Sequence, residues 1–186
     1  MADSPQAVRL GGSFEEEFPG ASRSASECSI NLTRATTLML AELQRRRRPY
    51  ADISNAAFQV LAIVEGEGAP LPPSVVAERM LMTSGSMTSL VDTLVRRGLV
   101  SRAPHPGDRR MLLIDITDAG REVVDAILPV THRINDEIFG GFSERERAQL
   151  SALMGRLQKR LALMREEPAP AGPPPPRNKT RTTPQL

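Results

Sequence analysis

The chain of 186 residues is poor in several residue types. It has one cysteine, two histidines, no tryptophan and only 3% aromatic residues. A single cysteine cannot close an internal disulfide, so a cytosolic protein is expected. One cysteine and two histidines also cannot build a zinc finger. So few aromatics count against a protein that reads single strands by stacking their bases. Every apolar run falls well short of the ~18–20 residues that cross a bilayer, which excludes a transmembrane protein and leaves no membrane partner. Met1 to Phe14 shows no basic region followed by an apolar run, so no secretory signal is expected. Lysine is nearly absent as well: Lys159 and Lys179 are the only ones.

Hydrophobic residues make up 40% of the chain, enough for one ordinary soluble domain. The net charge of +2 comes from 24 basic and 22 acidic residues, and it hides how the cations are chosen. Arginine stays protonated and forks onto phosphate oxygens, so its use here suits a polyanionic partner.

Residues 1–23 carry Gly, Ser and Glu without sustained periodicity and read as a mobile, disordered N-terminal arm. From 167 to 186 the sequence is Pro-rich with a basic end, which reads as a disordered, solvated tail. Between them lies a mainly helical core over 24–166. Ile30, Leu32, Ala35, Leu38, Met39 and Leu43 recur at helical spacing, and Arg45 to Arg48 close that segment before Pro49. Cations in a last turn favour the helix dipole, so this basic run reads as a helix end rather than a binding patch.

Ser54 is a good N-cap for a second helix carrying Ala57, Phe58, Leu61 and Val64, which ends in the breakers Gly66 to Pro70. A short helix over about 73–80 starts at Pro73. Thr83 then caps a helix to about Arg97 with Met87, Leu90, Val91 and Leu94 as its apolar stripe, and Gly98 ends it. Leu99 to Ala103 and Met111 to Ile116 read as two strands, and Pro104 to Asp108 between them is dense in turn residues. Thr117 caps a long helix over about 118–138, in which Pro129 should cause a kink. Ser143 and Glu146 form a capping box that opens a last helix to about Glu166. Its stripe of Leu150, Leu153, Met154, Leu157, Leu161 and Met164 needs a covering surface, expected to be a second subunit.

Helix, tight turn, helix and basic hairpin is the order of a winged helix-turn-helix. Three stretches, SLVDTLVRRGLVSR (89–102), PGDRRMLLIDIT (106–117) and TDAG (117–120), closely resemble the MarR family of bacterial regulators. The resemblance covers about 30–166. It implies a mainly α fold with a small β-hairpin wing, the winged helix-turn-helix over about 54–117, and a homodimer joined by helices near 24–48 and 118–166. It also implies a small, often aromatic or phenolic, effector bound between the DNA lobe and the dimer helices, and no cofactor.

A recognition helix must be slim and polar on one face to enter a major groove ~12 Å wide. Ser84, Gly85, Ser86, Thr88 and Ser89 provide such a face, with hydroxyls able to reach base edges or phosphates. By resemblance, Arg110 of the wing enters the minor groove and Asp108 holds the tip in shape. Arg109 and Arg102 would take phosphates. Ser89 stands where the family usually has a long basic or amide side chain, and Pro72 where it often has a hydroxyl cap. Specificity is therefore expected to lean on the wing and on DNA shape. Arg96 and Arg97, at the far end of that helix, are expected to pair with acids or the hairpin, and His105 reads as an ordinary turn residue.

Cys28 lies roughly where peroxide-sensing members of the family carry their reactive cysteine. Glu27 is adjacent and no tyrosine is near, so a weakly reactive thiol is favoured over a redox sensor. His132 and Asp136, at i and i+4, lack a third metal ligand. Gly66-x-Gly68 lacks the third glycine of a nucleotide fingerprint, and no nucleophile–base pair is evident, so an enzyme is not expected. The reading is a homodimeric, cytoplasmic, sequence-specific regulator of double-stranded DNA, a repressor rather than an activator. The rival is a winged-helix module that binds protein without specific DNA binding.

Overall fold

The computed structural model describes residues 6–166; the Pro-rich tail over 167–186 lies outside the described residues. The elements in order are α1 (Phe14–Glu17), α2 (Arg23–Arg47), α3 (Asn55–Glu67), α4 (Pro73–Arg79), α5 (Ser84–Arg96), β1 (Val100–His105), β2 (Asp108–Ile116), α6 (Asp118–Phe139) and α7 (Glu144–Glu166). The chain divides into two compact units. One is Leu40–Gly141, and the other combines the stretch ending at Met39 with the stretch beginning at Phe142.

The helix starts follow from side chains that satisfy otherwise orphaned amides. Ser54 accepts from the Ala57 amide, Thr83 from Ser86 and Thr117 from Gly120. At α7 the bonds are reciprocal: the Ser143 amide donates to Glu146 Oε2 (2.8 Å) and the Glu146 amide to Ser143 Oγ (3.3 Å). Gly68 closes α3 in the left-handed region (φ 67°), and Gly98 does the same just past α5 (φ 69°). Pro129 sits inside α6, which continues through it.

The core of the Leu40–Gly141 unit joins α3, α4, α5, the hairpin and the first half of α6. Leu61, Met87, Leu94, Ile114 and Ile127 are fully enclosed there. Met87, Val91 and Leu94 lie on one face of α5 and are buried, so the opposite face is left to solvent. The two strands pair antiparallel from Val100↔Ile116 to Pro104↔Leu112, then shift to His105↔Asp108. Ile114 is also bonded on its other edge to Leu71, in both directions. That bridge ties the loop before α4 to the hairpin.

The strands are longer than the sequence indicates. The expected second strand starts at Met111, whereas β2 starts at Asp108 and carries Arg109, Arg110 and Met111 between two paired positions. Alternation alone does not reveal a strand interrupted in this way.

In the other unit, residues 6–23 of the segment expected to be a mobile arm carry structure. Helix α1 lies within it, the Val8 amide donates to Asn31 Oδ1 (2.7 Å), and the Asn31 amide returns a bond to the Val8 carbonyl (3.0 Å). Leu10 donates to Glu27 Oε1 (2.8 Å). These bonds join residues far apart in the chain, which local periodicity does not record. Among its described residues, helix α7 buries none. Leu153, Leu161 and Met164 on α7, and Ile30, Leu32 and Leu38 on α2, remain exposed.

Candidate nucleic-acid interface

Ser84, Gly85, Ser86, Thr88 and Ser89 are all exposed on the first two turns of α5. The reason is geometric: the buried stripe of Met87, Val91 and Leu94 takes the other side of the same helix. No acidic residue occupies the first turn, so the partial positive charge of the helix amino end is not neutralised locally. Thr88 Oγ1 donates to the Ser84 carbonyl (2.9 Å) and Ser89 Oγ to the Gly85 carbonyl (3.2 Å). With their hydrogens used inside the helix, these hydroxyls face outward as acceptors. Thr83 donates its hydroxyl to Ser86 Oγ (2.9 Å). The Ser84 hydroxyl has no partner among the described residues.

The turn before α5 carries a backbone feature that periodicity does not signal. Leu81 sits at φ 54°, in the left-handed region, with 61% of its surface exposed. A branched residue is disfavoured there, where the Cβ crowds the following carbonyl.

At the wing, Asp108 Oδ1 accepts the Arg110 amide (3.0 Å), so the acid shapes the tip through the backbone. The Gly107 amide donates to His105 Nδ1 (3.0 Å), which makes His105 part of the turn. Arg110 is exposed. Arg102 is held differently: its Nη2 lies 2.6 Å from Asp92 Oδ1 on α5. This pairing with Asp92 is not evident from the sequence, in which Arg102 is expected to take a phosphate. Arg96 turns back to Thr93 Oγ1 (2.9 Å) rather than to an acid.

The TDAG stretch supports the wing from behind. Thr117 Oγ1 donates to the Gly98 carbonyl (2.7 Å) while also capping α6. A Cβ on Gly120 would lie 2.2 Å from the Leu99 carbonyl oxygen and 2.7 Å from Ile116 Cγ1. Only glycine fits that contact, which presses α6 against both ends of the hairpin.

Cys28 is an exposed free thiol. Among the described residues, no group of three or more His, Cys, Asp or Glu is arranged to hold a metal ion. Among them too, no helix is long and apolar enough to cross a membrane. Arg47 does sit at the basic end of α2, as the run Arg45 to Arg48 indicates, but that run gives no sign of where its side chain goes. The side chain is buried against Phe58.

The comparisons with known proteins agree with this layout. Residues 51–111 match the MarR family model. The regulator PecS of Dickeya dadantii is 32% identical over 111 residues, which is 59% of this chain and 67% of PecS. The structure of Sco5413, a MarR family transcriptional regulator from Streptomyces coelicolor, superposes with a TM-score of 0.65 at 28% identity. That match covers 76% of this chain and 97% of Sco5413. A mutant of MarR from Escherichia coli, in complex with operator DNA, gives a TM-score of 0.58 at 25% identity, covering 68% of this chain and 92% of that one. The chain belongs to the MarR family of transcriptional regulators.

Proposed function

We propose that this protein is a sequence-specific duplex DNA-binding repressor that acts in the cytoplasm as a homodimer and responds to a small effector. The observation that carries the reading is the slim, polar, acid-free first two turns of α5 beside a wing tip that exposes Arg110. Ser84, Gly85, Ser86, Thr88 and Ser89 would enter the major groove, where short hydroxyls permit close approach. Arg110 would enter the flanking minor groove, drawn by its negative potential. Arg109 and Arg102 would take phosphates, and Asp108 would hold the tip.

The exposed apolar residues of α2 and α7 support dimerisation, since a second copy would cover them. Two-fold symmetry then requires a pseudo-palindromic operator. The effector reading rests on family membership, and an effector releases DNA only if it binds one arrangement of the dimer better than the other.

The test is titration of the protein onto duplex DNA from upstream of its own gene, against a scrambled duplex, at two salt concentrations. Preferential binding that weakens with salt is expected. Equal, weak binding to both would favour the protein-interaction reading. Sedimentation at micromolar concentration checks the dimer, and a species of 20.3 kDa would refute it.

A further inference from the structure

Helix α7 has two faces of opposite character. Leu150, Met154 and Leu157 are half-buried, and every other described side chain on the helix is exposed. Arg145, Arg156 and Lys159 fall at i, i+11 and i+14, on one line along the helix. That line lies roughly 150° around the helix from Leu150, Met154 and Leu157, and it is about 21 Å long at 1.5 Å per residue. Gln149 and Ala152 lie between its cations, so no acid interrupts it. From Arg147 to Arg165 the chain holds no Asp or Glu at all.

Among the described residues, Arg145, Arg156 and Lys159 make no hydrogen bond or ion pair. Helices α2, α4 and α6 instead seat arginines on acids: Arg46 on Glu42, Arg79 on Glu67 and Arg121 on Glu65. The helix dipole does not account for the row. It favours a cation in the last turn, where Arg165 stands, and disfavours Arg145 in the first.

The row suits a phosphate backbone better than a protein surface. Protein interfaces are built round buried aromatic or apolar anchors at a charge-poor centre. Between its cations this row offers only Gln149 and Ala152, and α7 has no aromatic residue. A duplex asks for less, because phosphates recur along it and cations on flexible stems meet them without a pocket.

We propose that Arg145, Arg156 and Lys159 form a second, sequence-independent contact to duplex DNA, distinct from the contacts of α5 and the wing. The phosphates belong either to the flanks of the operator duplex or to a second duplex, and the chemistry is the same for both. In a homodimer the row occurs twice. The inference rests on the regulator reading for its partner and adds a site outside the winged helix.

The test compares the wild-type full chain with the triple variant Arg145→Gln, Arg156→Gln and Lys159→Gln. Circular dichroism and sedimentation check the fold and assembly of the variant. Fluorescence anisotropy follows three titrations: a minimal operator duplex, the same operator with long scrambled flanks, and a labelled scrambled duplex added to protein saturated with the minimal operator. The two proteins are expected to bind the minimal operator within about twofold of each other, as for independent sites. The wild type should gain about tenfold or more from the flanks, or capture the second duplex, and the variant should lose that gain. The salt slope of that contact should fall by about 0.9 for each phosphate contact removed. A gain from the flanks alone assigns the phosphates to the same duplex, and capture alone assigns them to a second one.

A variant equal to the wild type in both the flank and the capture titrations would overturn the proposal. So would a wild type that shows neither effect, or a variant that loses the minimal operator to the same extent as the flanks. If the wild type prefers its operator but neither effect appears, the row is solvated and the regulator reading stands. If it shows no preference for any operator, the regulator reading fails, and the same titrations on scrambled duplexes still read the row.

Discussion

Asp92 on α5 and Arg102 on β1 are 2.6 Å apart, with side chains 42% and 30% exposed. The pair links the helix that carries the polar face to the strand that leads into the wing. Because both groups are well solvated, the link contributes little to global stability, on the order of 0–1 kcal/mol. Its consequence is positional, since Arg102 reaches a phosphate only by leaving or sharing Asp92. Arg102→Ala is expected to weaken operator and scrambled duplex by similar factors and to lower the salt slope by about 1. An unchanged slope would leave Arg102 as a tie between wing and helix alone.

Arg110 differs in that its amide, not its guanidinium, is held by Asp108. The side chain is exposed and free to enter a groove. Arg110→Ala is expected to cost about 1–3 kcal/mol of operator affinity. Loss should be greatest on operators whose flanks are A·T-rich, where the minor groove is narrow. Fluorescence anisotropy with flank-substituted duplexes measures this, and equal affinity of variant and wild type would remove the wing from the interface.

Gly120→Ala places a methyl group 2.2 Å from a backbone oxygen. Backbone cannot yield as a flexible side chain can, so destabilisation at or above the upper end of the usual ~1–3 kcal/mol for overpacking is expected. The midpoint of urea unfolding reads it. A change below about 0.5 kcal/mol would mean that α6 shifts freely against the hairpin.

Leu81→Gly should act in the opposite direction. The left-handed conformation at φ 54° costs a non-glycine residue about 1–2 kcal/mol, and glycine loses roughly half of that gain through its freer unfolded chain. A net stabilisation of about 0.5–1 kcal/mol is expected, because the exposed side chain gives up little packing. Thermal unfolding would show it as a raised Tm.

Glu42 accepts from both Arg45 and Arg46, and these bonds lower its pKa from 4.5 to about 2. A carboxylate depressed in the folded state stabilises above its unfolded pKa, and that stabilisation is lost as pH falls through the folded value. The wild type should therefore lose stability between about pH 4.5 and 2 by a component that Glu42→Gln lacks. Parallel acid-unfolding curves for the two proteins would contradict this. High salt should shrink the difference, because both ion pairs of the half-buried Glu42 still reach solvent.

Caps and breakers are legible in the sequence because each is a local contract. Ser54, Thr83, Thr117 and Ser143 bind amides three residues away, and Gly98 needs only its own φ. The polar face of α5 is legible for the same reason: once Met87, Val91 and Leu94 are seen at helical spacing, the residues opposite them must face outward. The bulged start of β2 is less so, since three residues between paired positions break the alternation that announces a strand.

Helical order, caps, hairpin and family can all be read along the chain, since each rests on contacts within a few residues or on contiguous motifs. The fate of the arginines depends instead on long-range packing. Arg45 to Arg48 look alike as a run, yet Arg45 and Arg46 meet acids while Arg47 turns inward to Phe58, Asn55 and Thr131. It also decided that Arg102 rests on Asp92 and that Gly120 cannot carry a methyl group. Burial and pairing depend on residues brought together from far along the chain, as Thr131 reaches Arg47 across 84 positions.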